Sequence, residues 1–278
     1  SDDELKNIHF DLANSIQAMY EEAFFNILEV SFNKYGFDNL TLAGGCAMNS
    51  VANGKVYRRS SFKNVYIQSA AGDAGGAIGA AFIVANKIKP VNKRFYMDHA
   101  YWGPSFKNDY HEKLLYDREN ELNKQGCYFE LIDDEDNLCN QTAQAISNGL
   151  VIGWFQGRME WGPRALGNRS ILGDPRRSDM KDILNLKIKR RESFRPFAPS
   201  ILRESVSDWF EEDDDVPFMM KVFQIKEEKR IQIPAVSHVD GSGRLQTVSL
   251  STNARYFKLI SSFEELTGVP ILLNTSFN

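Results

Sequence analysis

The sequence is poor in the features that define several large classes of protein. Its three cysteines, Cys46, Cys127 and Cys139, are odd in number and lack metal-ligand spacing. They do not indicate a disulfide framework, and a reduced, cytoplasmic compartment fits them best. No apolar run approaches the ~18 residues of a membrane-spanning helix. We therefore expect no membrane partner.

Several familiar catalytic signatures are also absent. There is no Gly-x-Ser-x-Gly elbow, which argues against a serine hydrolase, and there is no Walker lysine motif or metal-binding His/Cys cluster. The formal net charge is −4, so the overall charge does not indicate a nucleic-acid partner. The chain has 278 residues, of which 42% are hydrophobic and 25% charged. That balance is typical of a globular protein with one large domain or two ordinary ones.

The most unusual stretch runs from Trp154 to Ser200, where glycines recur at short intervals with arginines between them. A glycine-rich backbone offers N–H groups at close range, and a guanidinium offers a rigid fork of donors for phosphate or carboxylate oxygens. Apolar residues such as Trp161 and Leu166 alternate with the arginines, so these charges need an anionic partner. The stretch predicts a site for a phosphorylated small molecule, although an ordinary surface loop has a similar composition. The arginines are Arg158, Arg164, Arg169 and Arg176.

The first third of the chain predicts strands that lead through small residues into helices. Apolar residues recur every three or four positions from Leu12 to Val30, which predicts the packed face of a helix. Leu40 to Ala43 reads as a strand that ends in the glycine pair 44–45. Such a turn presents free backbone N–H groups and is a candidate contact for a nucleotide, but paired glycines there can also be only a steric need.

Asp73 follows a second predicted strand, Val65 to Ile67, and stands at the start of a helix rich in glycine and alanine. Aspartate commonly caps a helix at this position. It could instead bind a metal or a nucleotide-bound cation, since a carboxylate at a strand end points into the crevice of an α/β sheet. The residues alone leave both readings open.

From residue 96 to 125 the periodic pattern dissolves, and we predict an interdomain connector with one helix, Asp109 to Lys124. A second unit then begins with a strand from Tyr128 to Ile132 and a helix from Asn137 to Asn148. A further helix is predicted from Asp179 to Lys189.

Two adjacent blocks carry charges of opposite sign. Eight Lys/Arg stand against three Asp/Glu between Arg176 and Arg195, whereas residues 204–215 are acidic. A basic groove for RNA is conceivable, but the acidic run beside it would repel a polyanion, so a small phosphorylated ligand fits better. We interpret the acidic run as a solvated loop.

His238 lies in a second dense patch, together with Asp240 and, after a glycine turn, Arg244. It could act as a general base or donate to a phosphate. A histidine that only forms hydrogen bonds in a loop is the commoner case.

Six segments resemble, in the right order, signature segments of the O-carbamoyltransferases that modify nodulation signals and antibiotics. In one-letter code they are LAGGCAMNS (42–50), GDAGGA (72–77), WGPRALGNRS (161–170), FRPFAP (194–199), HVDG (238–241) and LNTSFN (273–278). The similarity covers nearly the whole chain.

The resemblance implies an α/β (α+β) protein. Residues 1–95 would be the C-terminal half of an actin/hexokinase-like (ASKHA) acceptor domain, residues 96–125 the connector, and residues 126–278 a YrdC-like α/β domain truncated at its C-terminus. In the family, the YrdC-like domain forms carbamoyl-adenylate and pyrophosphate from carbamoyl phosphate and ATP. The acceptor domain, with iron(II) or a similar divalent metal, then transfers the carbamoyl group to a hydroxyl of a small molecule.

The resemblance also assigns roles to residues. Those that match the carbamoyl phosphate and adenylate site are Arg164, Lys189, Arg195, Arg244 and Ser276. Those expected to contact substrate or nucleotide are Gly44, Gly45, Asn49, Arg169, His238 and Asn274. Asp73 matches a metal ligand. We expect cationic groups from three distant segments, around Arg164, Arg195 and Arg244, to converge in one cleft.

The chain departs from the family pattern at both ends, and we expect a piece of a longer protein. It lacks the amino-terminal half of the first domain, with the paired histidines that supply the other iron ligands. Half of an actin-like domain leaves a sheet edge unpaired, which predicts a homo-oligomer through the exposed half-domain. Two other functions stay open: a YrdC-like RNA-binding module, and an enzyme that forms threonylcarbamoyl-adenylate.

Overall fold

The computed structural model describes residues 5–92, 95–192 and 194–277, and it mixes helices with small sheets. This confirms the predicted mixed α/β (α+β) class, whereas the actin-like and YrdC-like architecture and its boundaries stay predictions. The elements of the first part are helix α1 (Asn7–Tyr35), strand β1 (Asn39–Thr41), a 3₁₀ turn (Gly45–Met48), helices α2 (Ser50–Gly54) and α3 (Val56–Arg59), strand β2 (Asn64–Tyr66) and helix α4 (Gly75–Ile88).

Helix α1 packs through a different face from the one that the sequence predicts. Ile16 and Met19, on the predicted face, are 61% and 67% exposed, whereas Leu28 is 3% exposed. Leu28 and Phe25 pack against Phe62 and the start of α3. The helix carries apolar residues on more than one face, so their spacing alone does not show which face meets the rest of the chain.

The first sheet is a parallel pair, in which β1 and β2 place Leu40 opposite Val65. Both strands lie within two residues of their predicted positions. Helix α4 also forms where the small residues predict it, but no residue of α4 is buried against the described part of the chain. Within the described residues, the small side chains of α4 therefore do not serve to pack it against a sheet.

The remaining elements follow residue 95. They are α5 (Asn108–Asp117), α6 (Glu119–Lys124), α7 (Glu135–Ser147), β3 (Ile152–Phe155), β4 (Arg169–Gly173), α8 (Met180–Asp182), a π-helix (Ile183–Lys189), β5 (Ala198–Leu202), a 3₁₀ turn (Arg203–Ser205), α9 (Val206–Trp209), β6 (Phe223–Gln224), α10 (Glu227–Arg230), β7 (Ser242–Gly243), β8 (Gln246–Val248), α11 (Ala254–Thr267) and β9 (Ile271–Ser276). No helix within the three described ranges is both long and apolar enough to cross a membrane.

Two predictions in this part need correction. The single helix predicted in the connector is divided at Arg118, whose φ of −111° and ψ of 9° leave the helical range. The strand predicted from Tyr128 to Ile132 does not form, and Tyr128 and Leu131 are 88% and 83% exposed. Without a neighbouring strand, an apolar segment of this length has nothing to complete its hydrogen bonds.

The main sheet has the strand order β3-β4-β9-β5-β8, so the last strand of the chain is the central one. β9 runs antiparallel to β4 and β5, while β5 and β8 are parallel. The end of β9 therefore lies beside the beginnings of β4, β5 and β8. Loops from four distant parts of the sequence meet at this one end of the sheet.

Helices α7 and α11 cover the sheet and form the core with it. Tyr256, Leu259 and Phe263 of α11 are fully buried, as is Ile146 of α7. Burial of such side chains contributes about 1.5–3 kcal/mol each relative to exposure. Gly268 ends α11 with a φ of 73°, which a residue without a Cβ adopts readily. This core fixes the frame on which the site is built.

The end of the acidic run, residues 211–215, is a largely exposed loop, as the sequence predicts, but some of its side chains bind the first part of the chain. Asp214 accepts a hydrogen bond from Tyr57 Oη (2.8 Å) and is ion-paired with the buried Lys221. Arg58 Nη2 lies 3.1 Å from Glu211 Oε2. Nearby, Asn53 donates to the carbonyl of residue 220 at 3.0 Å. The acidic residues therefore join the two parts of the molecule.

Candidate functional site

A cavity of about 110 Å³ opens at the end of the main sheet where β9 stops and β4, β5 and β8 begin. Its volume exceeds the ~10–15 Å³ that one water needs, so it can hold a small ligand. The lining residues are Pro163, Arg164, Ala165, Arg191, Pro196, Phe197, Ala198, Met219, Arg244, Asn274, Thr275 and Ser276. We call it the arginine cavity.

Two of its arginines, Arg164 and Arg244, are half-buried and lack an acidic partner. The Nε atoms of both are buried without a hydrogen-bond partner in the described part of the chain. Burial lowers the pKa of Arg164, and burial together with the charges of Arg164 and Arg191 lowers the pKa of Arg244 to about 10. Like charges held together in a half-buried site are stabilised by an anion. The cavity is therefore built for a negatively charged ligand.

Glu160 holds the loop that carries Arg164. Its Oε1 atom accepts hydrogen bonds from the backbone N–H groups of Leu166 (2.8 Å), Asn168 (2.8 Å) and Arg169 (3.3 Å). One carboxylate thus folds the loop around itself. This loop is the glycine-rich segment that the sequence indicates, and Glu160 fixes its backbone rather than serving as the counter-charge of an arginine.

A glycine lets the same loop approach the core. Gly167 has a φ of 101°, and a Cβ there would lie 2.3 Å from the ring of Tyr256. A side chain at this position would push the loop away from α11.

A buried polar network joins the loop to three strands of the sheet. Asn274 of β9 donates to the carbonyl of Ala165 (3.1 Å) and to Ser200 Oγ of β5 (3.0 Å). Gln246 of β8 donates to the carbonyl of Leu166 (2.8 Å) and accepts from Ser200 (2.8 Å). Asn274 Oδ1 has no partner among the described residues, but the hydrogen bonds of the other members hold the backbone beside Arg164 in place. Asn274 thus supports the cavity that it also lines.

Arg191, and not Arg195, supplies the third guanidinium of the cavity. Arg195 is absent from the lining, and its exposed side chain pairs with Glu192 (Nε–Oε2, 2.8 Å). Arg191 Nε donates to Asn185 Oδ1 (2.7 Å), and its guanidinium lies 4.8 Å from the centre of the Phe197 ring. The expected convergence of Arg195 with the other two arginines is therefore wrong in this structure.

Lys189 lies at the edge of the arginine cavity, against the end of β9. It is 8% exposed, and its Nζ contacts the backbone carbonyl of Ser276 and lies 3.4 Å from Ser276 Oγ. Burial and the charge of Arg191 lower its pKa. Lys189 is the last residue of the π-helix. Together, α8 and the π-helix occupy the range of the predicted helix, but the π-helix has hydrogen bonds between residues i and i+5. The lysine positions Ser276, which lines the cavity.

Arg169 does not face the cavity, contrary to its expected contact with substrate. Its guanidinium donates to the backbone carbonyls of Gln156, Gly157 and Asn168. It also lies 3.5 Å from the centre of the Phe155 ring. Backbone carbonyls accept hydrogen bonds from both of its Nη atoms, whereas its Nε is buried without a partner among the described residues. Arg169 therefore supports the arginine-bearing loop.

His238 lines a second cavity, of about 380 Å³, which shares Pro196 with the arginine cavity. Its Nδ1 lies 3.0 Å from Ser242 Oγ. Burial lowers the pKa of His238 to about 4; Arg244 and Lys181 add to the shift, and Asp240 opposes it. His238 is therefore neutral near pH 7. We call this space the histidine cavity, and its lining residues are Lys181, Phe194, Pro196, His238, Val239 and Asp240.

The predicted nucleotide turn, with Gly44, Gly45 and Asn49, does not line either cavity. Gly44 N–H donates to the carbonyl of Ala71 at 2.7 Å, and a 3₁₀ turn follows in place of the start of an α-helix. Asn49 accepts from the N–H of Ala52 (3.1 Å), so its amide caps α2. A role for this turn in nucleotide binding stays a prediction.

Asp73, the predicted metal ligand, is exposed just before α4. Among the described residues there is no group of three or more His, Cys, Asp or Glu side chains that could hold a metal ion. One exposed carboxylate does not form a metal site, so the residues of the three described ranges do not fit a divalent metal by themselves.

Sequence reasoning missed two residues that shape the site. Arg191 lies within the basic block, where nothing in the sequence separates it from Arg195. Glu160 lies in the glycine-rich segment, but no sequence motif indicates that it binds three backbone N–H groups. The alternation of glycine and arginine was the signal that located the loop itself.

A half-buried cluster of three arginines thus lines a small cavity at the end of a mixed sheet. The model of the carbamoyltransferase N-terminus matches residues 2–82, and that of the carbamoyltransferase C-terminus matches residues 143–278. The chain belongs to the carbamoyltransferase family, as its six motifs predict.

Three relatives support the assignment over nearly the whole chain. An uncharacterized protein of Synechocystis sp. is 45% identical over 292 aligned residues, which cover 96% of this chain and 46% of the relative. Nodulation protein NolNO of Sinorhizobium fredii is 45% identical (97% and 39%), and nodulation protein NolO of Bradyrhizobium diazoefficiens is 43% identical (97% and 48%). The chain spans less than half the length of these relatives.

Proposed function

We propose that the arginine cavity binds carbamoyl phosphate and that the chain takes part in carbamoyl transfer. The observation that carries this proposal is the pair of half-buried guanidinium groups, Arg164 and Arg244, that face one small cavity without an acidic partner. The family assignment supplies the carbamoyl group as the chemistry, and the cavity supplies a site for its phosphate.

The proposed reaction forms carbamoyl-adenylate from carbamoyl phosphate and ATP. Water displaces phosphate from carbamoyl phosphate, and an oxygen of the resulting carbamate then bonds to the α-phosphate of ATP and displaces pyrophosphate. One water is consumed, and phosphate and pyrophosphate are released. Arg164, Arg191 and Arg244 neutralise phosphoryl charge in a site that is already folded around them, which is the electrostatic part of such a transfer. Lys189 and Ser276 stand at the rim, where the end of β9 presents a hydroxyl.

The acceptor in this proposal is a small molecule with a free hydroxyl, in line with relatives that are named nodulation proteins. A divalent metal such as iron(II) enters only through Asp73, together with ligands that this chain does not hold, and no step above runs through it. A second copy of the chain, bound at the exposed face of α1, is the proposed protein partner. RNA is a weaker candidate, because Arg176 and Arg177 of the basic block already pair with neighbouring aspartates.

Calorimetric titration with freshly prepared carbamoyl phosphate tests the proposal. We expect Arg164→Ala and Arg244→Ala each to weaken binding roughly 10- to 100-fold, because a hydrogen bond to a charged group contributes about 1.5–3 kcal/mol. Arg255→Ala is the matched control, since Arg255 is 46% exposed and pairs with Glu135 away from the cavity. Equal affinity in all four proteins would overturn the site assignment.

The alternatives give different outcomes in the same protein. Binding to double-stranded RNA that falls steeply with salt would favour the RNA-binding module. Release of pyrophosphate that depends on threonine, and not on carbamoyl phosphate, would favour an enzyme that forms threonylcarbamoyl-adenylate.

A further inference from the structure

Asp240, Ser242 and His238 form a chain of hydrogen bonds beside the arginine cavity. Asp240 Oδ1 lies 2.6 Å from Ser242 Oγ and 3.0 Å from the backbone nitrogen of Ser242. Ser242 Oγ in turn lies 3.0 Å from His238 Nδ1, and the N–H of His238 donates to the carbonyl of Ser242 at 2.8 Å. Ser242 is 2% exposed, so solvent does not compete for its hydroxyl.

The donors in this chain follow from proton counting. A serine hydroxyl has one proton, and the carboxylate of Asp240 can only accept it, because the hydrogen bonds from Ser242 keep the pKa of Asp240 low. Ser242 Oγ is then left with lone pairs toward His238, so Nδ1 must be the donor. A neutral imidazole with its proton on Nδ1 carries a lone pair on Nε2. Within the described residues, Nε2 has no hydrogen-bond partner.

A hydrogen-bond acceptor such as Nε2 is unusual at this place, because most of the charged groups around the His238 ring are cations. Lys181 and Arg244 are both close enough to lower the pKa of His238, and Asp240 is the acid that opposes them. The ring is therefore a neutral acceptor beside cations that can only donate. The two cavities are neighbours, since Pro196 lines both, and Arg244 of the arginine cavity is close enough to His238 to lower its pKa.

We propose that Asp240 and Ser242 are positioning residues that hold His238 as the Nδ1–H tautomer, so that Nε2 accepts an N–H of the bound ligand. The inference rests on the proposed function above, and it adds a reason why the site would select one ligand over another. The ligand class is an acyl phosphate that ends in an amide, as carbamoyl phosphate does, in preference to one that ends in a methyl group, as acetyl phosphate does.

The tautomer can be read directly by NMR. The chain has four histidines, so ¹⁵N-histidine labelling gives few signals, and His238→Ala assigns the ring of interest. We expect the nitrogen shifts of the wild type at neutral pH to show a protonated Nδ1 and an unprotonated Nε2. Ser242→Ala should shift the ring toward the Nε2–H form, and Ser242→Thr, which keeps the hydroxyl, should restore the wild-type pattern. An Nε2–H ring in the wild type would overturn the proposal.

Selectivity is measured as the ratio of the affinities for carbamoyl phosphate and acetyl phosphate. We expect Ser242→Ala and His238→Ala to lower this ratio about fivefold, the effect of one hydrogen bond to a neutral group. Arg244→Ala should weaken both ligands and leave the ratio within twofold. If Arg244→Ala changes neither affinity, the proposed function itself fails. If Arg244→Ala weakens both ligands while His238→Ala keeps the wild-type ratio, only the present inference is overturned. The comparison of Arg244→Ala with His238→Ala can be made even if Ser242→Ala does not fold.

Discussion

Arg164 and Arg244 face one cavity from loops that precede two different strands, and each guanidinium makes the other harder to keep charged. The charge of Arg164 is part of the reason why the pKa of Arg244 falls to about 10. The ligand-free protein therefore holds two like charges together in a half-buried place. Binding of an anion removes this repulsion, so affinity and stability are linked at this site.

The first prediction follows from that repulsion. Arg244→Met should stabilise the ligand-free protein by about 1 kcal/mol or more, because a neutral side chain of similar length replaces a half-buried charge without a counter-ion. Thermal unfolding in phosphate-free buffer should show the higher midpoint. The variant should also lose the rise in midpoint that millimolar phosphate gives the wild type. Arg255→Met is the control, and a lower midpoint for Arg244→Met in phosphate-free buffer would contradict the prediction.

The second prediction separates two neighbouring arginines. Arg191→Ala should weaken carbamoyl phosphate binding roughly tenfold, because Arg191 lines the cavity, whereas Arg195→Ala should change it less than twofold, because Arg195 pairs with Glu192 in solvent. Calorimetry on the two variants measures the difference. The opposite order would show that this loop rearranges when the ligand binds.

Arg191 also shows where sequence reasoning reaches its limit. The sequence locates the site to two segments, because glycine and arginine alternate around Arg164 and the basic block follows. Which cation of the block turns inward depends on the π-helix that ends at Lys189 and on the left-handed backbone of Arg190, whose φ is 48°. Neither feature has a periodic signature. The wrong expectation for Arg195 has this origin.

The same limit applies to packing. Local periodicity predicts α1, α4 and α7 and the strand pair β1–β2, and the structure has these elements within a few residues. It does not predict β4, β5 and β8 of the main sheet, or helix α11. It also does not predict which face of α1 is buried, or that the acidic run binds Tyr57 and Arg58, because both depend on partners far away in the chain. Long-range pairing decides such features, and residue spacing carries no record of it.

The third prediction concerns Glu160. Glu160→Gln keeps the size of the side chain but removes the charge that three backbone N–H groups share. We expect a loss of about 1.5–3 kcal/mol in the free energy of unfolding, measured by urea denaturation. Affinity for carbamoyl phosphate should fall as well, because the loop positions Arg164. Glu265→Gln, a change on the exposed end of α11, is the control and should be neutral in both measurements.

The fourth prediction tests the ion pair of Asp214 and Lys221, which contacts the first part of the chain through Tyr57. Burial lowers the pKa of Lys221, and Asp214 acts against that shift. Asp214→Asn leaves this ammonium buried without a counter-charge, and we expect a loss near the lower end of about 3–5 kcal/mol, since the Asp214 side chain is still 27% exposed. Lys221→Met together with Asp214→Asn should recover most of the loss in urea denaturation. A double variant as unstable as Asp214→Asn would contradict the role of the unpaired charge.

The last prediction concerns acid stability and follows from His238. Its folded-state pKa of about 4 lies below its ordinary value of 6.5, mainly because the ring is buried, with Arg244 and Lys181 adding to the shift against Asp240. As pH falls from 6.5 to 4, the ring binds a proton in the unfolded chain but not in the folded protein, so the folded state loses stability. Below pH 4 the ring is protonated in both states, and it causes no further loss. Carboxylates titrate in the same range, and the comparison with His238→Gln isolates the contribution of the ring. The free energy of unfolding, measured by urea denaturation at several pH values, should fall more steeply for the wild type than for His238→Gln between pH 6.5 and 4. Parallel curves for the two proteins would mean that the ring takes up its proton at the same pH in the folded and unfolded states, and burial would then not lower its pKa.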